Sequence, residues 1–182
     1  MRATTAAISG TPILQVENLS KRYGDRRVIE DLSFSIGAGE LVVLLGPSGS
    51  GKTTLFRMIT RLASPDAGRL TFAGTSRLDQ LEGRALREVR REIGFIFQQF
   101  NLIKRMSALQ NVLVGRLGYT STWRVLLRNF SSDDIARAEA ALDAVGLADF
   151  RHQRVDCLSG GQQQRVAIAR ALAQECRFIL AD

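Results

Sequence analysis

Gly46-Pro47-Ser48-Gly49-Ser50-Gly51-Lys52-Thr53-Thr54 is where the sequence concentrates the means to hold a phosphate group. The run fits G-x-x-x-x-G-K-[ST], whose glycines let the backbone approach an anion closely so that its N–H groups surround it. Lys52 adds a mobile cation for the β and γ phosphates, Thr53 a hydroxyl for Mg²⁺, and the start of the next helix a favourable partial charge. The plain alternative is an ordinary glycine-rich turn. At average glycine usage, a chance match at all four fixed positions is on the order of one per cent in a chain this long.

A second glycine-bearing run, Leu158-Ser159-Gly160-Gly161-Gln162 with Gln163-Gln164-Arg165 behind it, falls where a helix should begin. Ser159 and Gln162 form a capping box, which explains a helix start but not the two glycines. Adjacent glycines in the first turn weaken a helix by roughly 1 kcal/mol each relative to alanine. They make sense where another surface must come close to those backbone N–H groups.

Regular elements must position both runs. Residues 13–19 and 28–36 predict two strands, turning at Tyr23-Gly24-Asp25 and suited to antiparallel pairing. Residues 41–45, a continuous apolar run bounded by Gly39 and Gly46, predict a strand buried on both faces of a mostly parallel sheet. Leu55, Ile59 and Leu62 share one face of the helix expected next; Pro65-Asp66-Ala67-Gly68 ends it and leads into a short strand at 69–72. Residues 92–97 predict a strand running into Gln98-Gln99. The stretch 107–145 is helix-rich, with breaks near Gly118 and at 120–122, and has the character of an inserted subdomain. Its second helix is expected to take Ser132 as N-cap, Asp133 and Asp134 in its first turn, and Gly146 as its stop. A helix after Ser159 and a strand at 178–181 complete the pattern.

The bulk properties narrow the class. A chain of 182 residues, 45% apolar, buries enough core for one domain, or one with a subdomain. The opening MRATTAAISG lacks the apolar run of a secretory signal, and the longest aliphatic run is far short of the ~20 residues that span a bilayer, so a chain soluble by itself is expected. Cys157 and Cys176 form neither a CxxC pair nor a disulfide framework, which suits a reducing cytosol. A net charge of +7 fits a nucleic-acid ligand, an anionic membrane face or a solvated basic surface. The arginines are scattered, without the block of basic residues that makes a nucleic-acid arm.

With an unsubstituted LSGGQ at 158–162 behind the phosphate loop, nearly the whole chain resembles the ATP-binding-cassette family. The resemblance implies an α/β fold: a P-loop NTPase (RecA-like) core with an N-terminal antiparallel β-subdomain and an inserted α-helical subdomain. The β-subdomain and phosphate-loop core would occupy about residues 12–100, the helical subdomain with the signature about 101–165, and the return to the core about 166–182. It further implies ATP and Mg²⁺ as cofactors. Tyr23 would stack on adenine, residues 46–54 would hold the phosphates, Gln98 would touch Mg²⁺ and the attacking water, and Asp182 would orient Mg²⁺ through water. Taken singly, Tyr23 also reads as a turn-packing aromatic and Gln98 as a solvated loop residue. Ser159, Gly160, Gly161 and Gln162 would bind the γ-phosphate held by a second copy, giving a head-to-tail homodimer that works with transmembrane permease subunits and, indirectly, a periplasmic binding protein. Such a protein sits peripherally on the cytoplasmic side of the inner membrane.

The stretch 97–119, continuing through Ser121-Thr122-Trp123-Arg124, is similar to the ATPases of phosphonate importers and implies uptake of phosphonate or a related oxyanion. Family members acting on nucleic acid form the competing class. They carry paired cassettes or long coiled-coil insertions, whereas the insertion here is short and lacks sustained heptads. The family continues beyond the residue matching Asp182 with a catalytic glutamate, a loop at the dimer seam and a histidine contacting the γ-phosphate. His152, ahead of the signature, reads as a surface or packing residue. The expectation is therefore a partial cassette with negligible hydrolysis, because a lost catalytic carboxylate costs ~10²–10⁴ in rate.

Overall fold

The computed structural model describes residues 11–75, 77–120, 123 and 130–182. The chain divides into two compact units, residues 1–89 and 90–182.

In the first unit, β1 (Leu14–Tyr23) and β2 (Arg26–Ile36) form the expected antiparallel hairpin about a Gly24-Asp25 turn. β3 (Ala67–Phe72) adds to the other side of β1, so the sheet order is β2-β1-β3 with β1 in the centre. Alternation sends Leu14 and Val16 of β1 inward, along with Leu32, Phe34 and Ile36 of β2 and Leu70 and Phe72 of β3, and a register shift after Val16 buries Leu19 as well. Between β2 and β3 lies α1 (Lys52–Ile59), which buries Leu55, Phe56, Met58 and Ile59.

Two expectations fail in this unit. Residues 41–45 form no strand, and Leu41, Val42, Val43 and Leu45 are exposed, Leu41 to 92%. An apolar run is buried on both faces only between flanking strands, and the three-stranded sheet takes this one at neither edge. Leu62 is also exposed, since the helix closes at Thr60, two residues before Leu62 could join its apolar face.

α2 (Gly83–Arg91), which the sequence pattern did not suggest, leads to β4 (Ile93–Ile96). In the second unit β4 pairs in parallel with β5 (Phe178–Ala181), Ile93 opposite Phe178 and Ile96 opposite Ala181. Between them lie α3 (Ala108–Leu113), α4 (Ser132–Ala144) and α5 (Gly160–Ala173). Their shared core contains Ala108, Val112, Ala138, Leu142, Val166 and Ala169. The cap of α4 is Ser131 rather than Ser132: the Ser131 hydroxyl accepts from the Asp134 N–H and is the one placed to do so, three residues ahead of that donor. Asp133 and Asp134 occupy the first turn, and Gly146 follows the helix with its N–H bonded to the Asp143 carbonyl at 2.9 Å. Of the insertion at 119–128, all but Tyr119, Thr120 and Trp123 lie outside the described residues.

A buried ion pair braces the far end of this unit. Arg116 donates from Nε to Asp134 at 2.8 Å and from Nη1 to the Ala173 carbonyl at 3.1 Å, with the Tyr119 ring 4.3 Å from its guanidinium carbon. Burial alone would raise the Asp134 pKa, but donors from Arg116, Ser131 and Thr120 and the Arg116 charge outweigh it and hold the carboxyl below its usual range. Among the described residues no helix is long and apolar enough to cross a membrane.

Candidate nucleotide site

α1 starts without a capping side chain. Its N-cap is Gly51, at φ 96°, which has no side chain with which to cap the helix. That conformation and the space around it both demand glycine: a Cβ on Gly51 would stand 2.9 Å from the Val28 carbonyl oxygen and 3.1 Å from Ile29 Cγ1. The loop thus curls over β2, with Gly46, Pro47, Ser48 and Gly49 exposed and Ser50 half-buried. Lys52 turns back into the curl, donating from Nζ to the Gly46 carbonyl at 2.7 Å, the Pro47 carbonyl at 2.9 Å and Ser50 Oγ at 3.3 Å. The result is a cation at the centre of a ring of backbone, beside an uncapped helix start, and the donor set suits a polyphosphate. Thr53 and Thr54 follow in the first turn of α1.

Tyr23 closes β1 with its ring 48% exposed and the Lys21 ammonium 5.4 Å from its centroid. The sequence reading missed Arg26, whose guanidinium lies near the phosphate loop, 3.4 Å from where a Cβ on Gly49 would stand. The signal was its place directly after the hairpin turn.

In the second unit Ser159 caps α5 as expected. Its hydroxyl accepts from the Gln162 N–H at 3.3 Å, and the Gln162 side-chain oxygen accepts from the Ser159 N–H at 2.9 Å. Ser159, Gly160 and Gly161 are exposed. A Cβ added at Gly160 or Gly161 would meet nothing within 4 Å, so this chain's packing gives no reason for glycine at either position. The approach to Ser159 is fixed from behind: the N–H groups of Ala108 and Leu109 bond the carbonyls of Gln153 and Arg151, and the Val155 N–H bonds the Met106 carbonyl. Gln163 adds side-chain bonds to the carbonyls of Val155 and Leu158.

Gln98 and Asp182 come to the same edge. Gln98 lies two residues past the end of β4 and is exposed; Asp182 lies one residue past β5, and its N–H donates to the Ile96 carbonyl at 3.0 Å. The parallel register places them at the carboxyl end of adjacent strands, where α/β sheets hold their ligands.

Residues 29–182 match the ABC transporter family. The chain belongs to that family. The Phosphonates import ATP-binding protein PhnC of Nitratidesulfovibrio vulgaris is 51% identical over 178 residues, which make up 97% of this chain and 67% of that protein. The Hypophosphite import ATP-binding protein HtxD of Stutzerimonas stutzeri is 48% identical, over 93% of this chain and 49% of its own length. The chain thus spans about half to two thirds of these relatives. Among solved structures, the dimeric bacterial ABC transporter cassette MJ0796 superposes with a TM-score of 0.78 at 37% identity, covering 93% of this chain and 73% of that one. For cbiO1 from Clostridium perfringens, part of the ABC transporter complex cbiONQ, the TM-score is 0.78 at 30% identity, covering 94% and 65%. The fold is accordingly that of the family's P-loop cassettes, α/β in class.

Proposed function

We propose that the protein carrying this chain is the ATP-binding subunit of an importer for phosphonates or a related phosphorus oxyanion, peripheral to the cytoplasmic face of the membrane and working as a head-to-tail pair beneath permease subunits. The observation that carries this reading is the exposed Gly160-Gly161 helix start, whose glycines serve no contact within the chain. A first turn weakened in this way is intelligible when a triphosphate held by a second copy must reach its N–H groups. The names of the phosphonate and hypophosphite relatives support the cargo class.

In this reading Tyr23 offers its exposed ring to adenine, and Gly46 to Thr54 wrap the phosphates. Lys52 exchanges its carbonyl partners for phosphate oxygens. Thr53, Gln98 and Asp182 are the residues that would hold Mg²⁺, which supplies charge neutralisation on the β and γ oxygens. Gln98 also orients the attacking water. Domain limits near residues 100 and 165 belong to the same proposal.

The test is ATP-driven pairing. With ATP and Mg²⁺ the protein is expected to move from monomer to dimer in light scattering, and Lys52→Ala or Gly161→Glu should each keep it monomeric. A wild-type protein that binds ATP yet stays monomeric at every concentration would remove the two-copy reading. A strain lacking the gene that still takes up phosphonate and hypophosphite at the wild-type rate would remove the cargo.

A further inference from the structure

The segment that follows Gln98 is held in a conformation it would not adopt unaided. Phe100 and Asn101 both have left-handed backbones, at φ 58° and 47°, and the Asn101 N–H closes a tight three-residue turn onto the Gln99 carbonyl at 2.6 Å. A bulky aromatic residue in that region is strained, so the turn persists only where its surroundings impose it.

Arg170, in the last turn of α5, supplies the constraint. Nη1 donates to the Asn101 carbonyl at 2.9 Å and Nη2 to the Phe100 carbonyl at 2.8 Å, so one planar fork grips both strained residues at once. Among the described residues no carboxylate pairs with this guanidinium, and burial pushes its pKa down. A half-buried cation whose side-chain bonds go to two loop carbonyls is an expensive way to hold a turn without consequence. The Arg170 backbone is closely packed from the other side: Gly115 approaches it so nearly that a Cβ there would stand 2.4 Å from the Arg170 carbonyl oxygen. Further along the loop, Asn111 takes the Ile103 N–H on its side-chain oxygen at 2.7 Å and returns a bond to the Ile103 carbonyl at 3.1 Å.

We infer that Arg170 is a positioning residue for Gln98: its grip on the Phe100-Asn101 turn sets how the Gln98 loop leaves β4 and ties that loop to the helix that begins at Ser159. The inference rests on the role proposed above for Gln98. From Ser159 to Arg170 is eleven helical steps, or ~16 Å of rigid rod. Whatever engages the exposed start of α5 is therefore mechanically joined to the Gln98 loop through one side chain.

The experiment has two arms, both on the folded protein. Hydrogen exchange of the amides at 98–103 should accelerate by about tenfold or more in Arg170→Ala, while α4 and the β1–β2 hairpin keep their wild-type rates. Arg170→Lys, which keeps the charge but not the fork, should recover only part of the protection, and it replaces the alanine variant should that one fail to fold. Unchanged exchange at 98–103, or equal acceleration throughout 90–182, would overturn the inference. The second arm compares ATP affinity with and without Mg²⁺. Gln98→Ala and Arg170→Ala should each shrink the gain that Mg²⁺ gives, and the double variant should lose no more than Gln98→Ala alone. Fully additive losses would show that Arg170 does not act through Gln98. If Gln98→Ala by itself leaves the Mg²⁺ gain intact, the proposed metal role of Gln98 falls, while the exchange arm still decides whether Arg170 holds the loop.

Discussion

α1 and α5 both begin at glycines and both present backbone N–H groups, yet their glycines answer to different masters. At α1 the requirement is internal: Gly51 sits at positive φ with Val28 and Ile29 where a side chain would go, and no side chain caps the helix. At α5 a complete capping box secures the start, and among the described residues a Cβ on either of the two glycines behind it would meet nothing within 4 Å. A glycine required by its own chain reports on folding, whereas a glycine that its chain could replace reports on what comes from outside.

Substitutions at five positions can break or sharpen that contrast. The largest effect should come from the brace at the far end of α5, where Asp134→Ala takes from Arg116 its buried carboxylate, leaving it the half-exposed Glu175 at 3.2 Å, and costs about 3–5 kcal/mol in urea unfolding while Ser159 itself is untouched. Because the folded Asp134 pKa is depressed, its contribution is complete above about pH 4 and fades as pH falls below that value through the folded pKa; in Asp134→Asn that part of the acid dependence should vanish. Next, Gly51→Ala combines a left-handed alanine with a contact to the Val28 carbonyl and should cost about 2–4 kcal/mol, read from the denaturation midpoint. Third, Lys52→Ala should weaken ATP binding about ten- to hundredfold, or roughly 1.5–3 kcal/mol, in a titration. The smallest effect has the opposite sign: Gly160→Ala and Gly161→Ala should each stabilise the protein by up to about 1 kcal/mol while abolishing ATP-driven pairing. If either alanine is destabilising, the glycines have an internal purpose and the contrast fails.

Much of this was legible in local patterns. The Ser159–Gln162 box, the β1–β2 hairpin and the limits of β5 follow from spacing over a few residues, where one short-range rule decides the outcome. The error at residues 41–45 arose because an apolar run specifies a wish for burial, not the neighbours that grant it. The cap at Ser131 was missed by one residue because two adjacent serines satisfy the same composition rule, and only the geometry to Asp134 separates them. Arg116 and Arg170 went unread for another reason: each satisfies backbone groups distant in sequence, and no periodicity announces such a partner; Asn111 went unread although its partner Ile103 is eight residues back. An asparagine within the apolar face of α3 was the one visible hint, since a buried amide must find partners.

Gln163, Arg170 and Gln174 fall at i, i+7 and i+11, a single stripe along α5 and the residue that closes it. Gln163 clasps the carbonyls of Val155 and Leu158, Arg170 those of Phe100 and Asn101, and Gln174 those of Arg90, Arg91 and Ile93. A shaft keyed along its length in this way resists twisting about its own axis, because a turn by one residue would unseat every key together. It can transmit a push or a tilt, but not a screw motion.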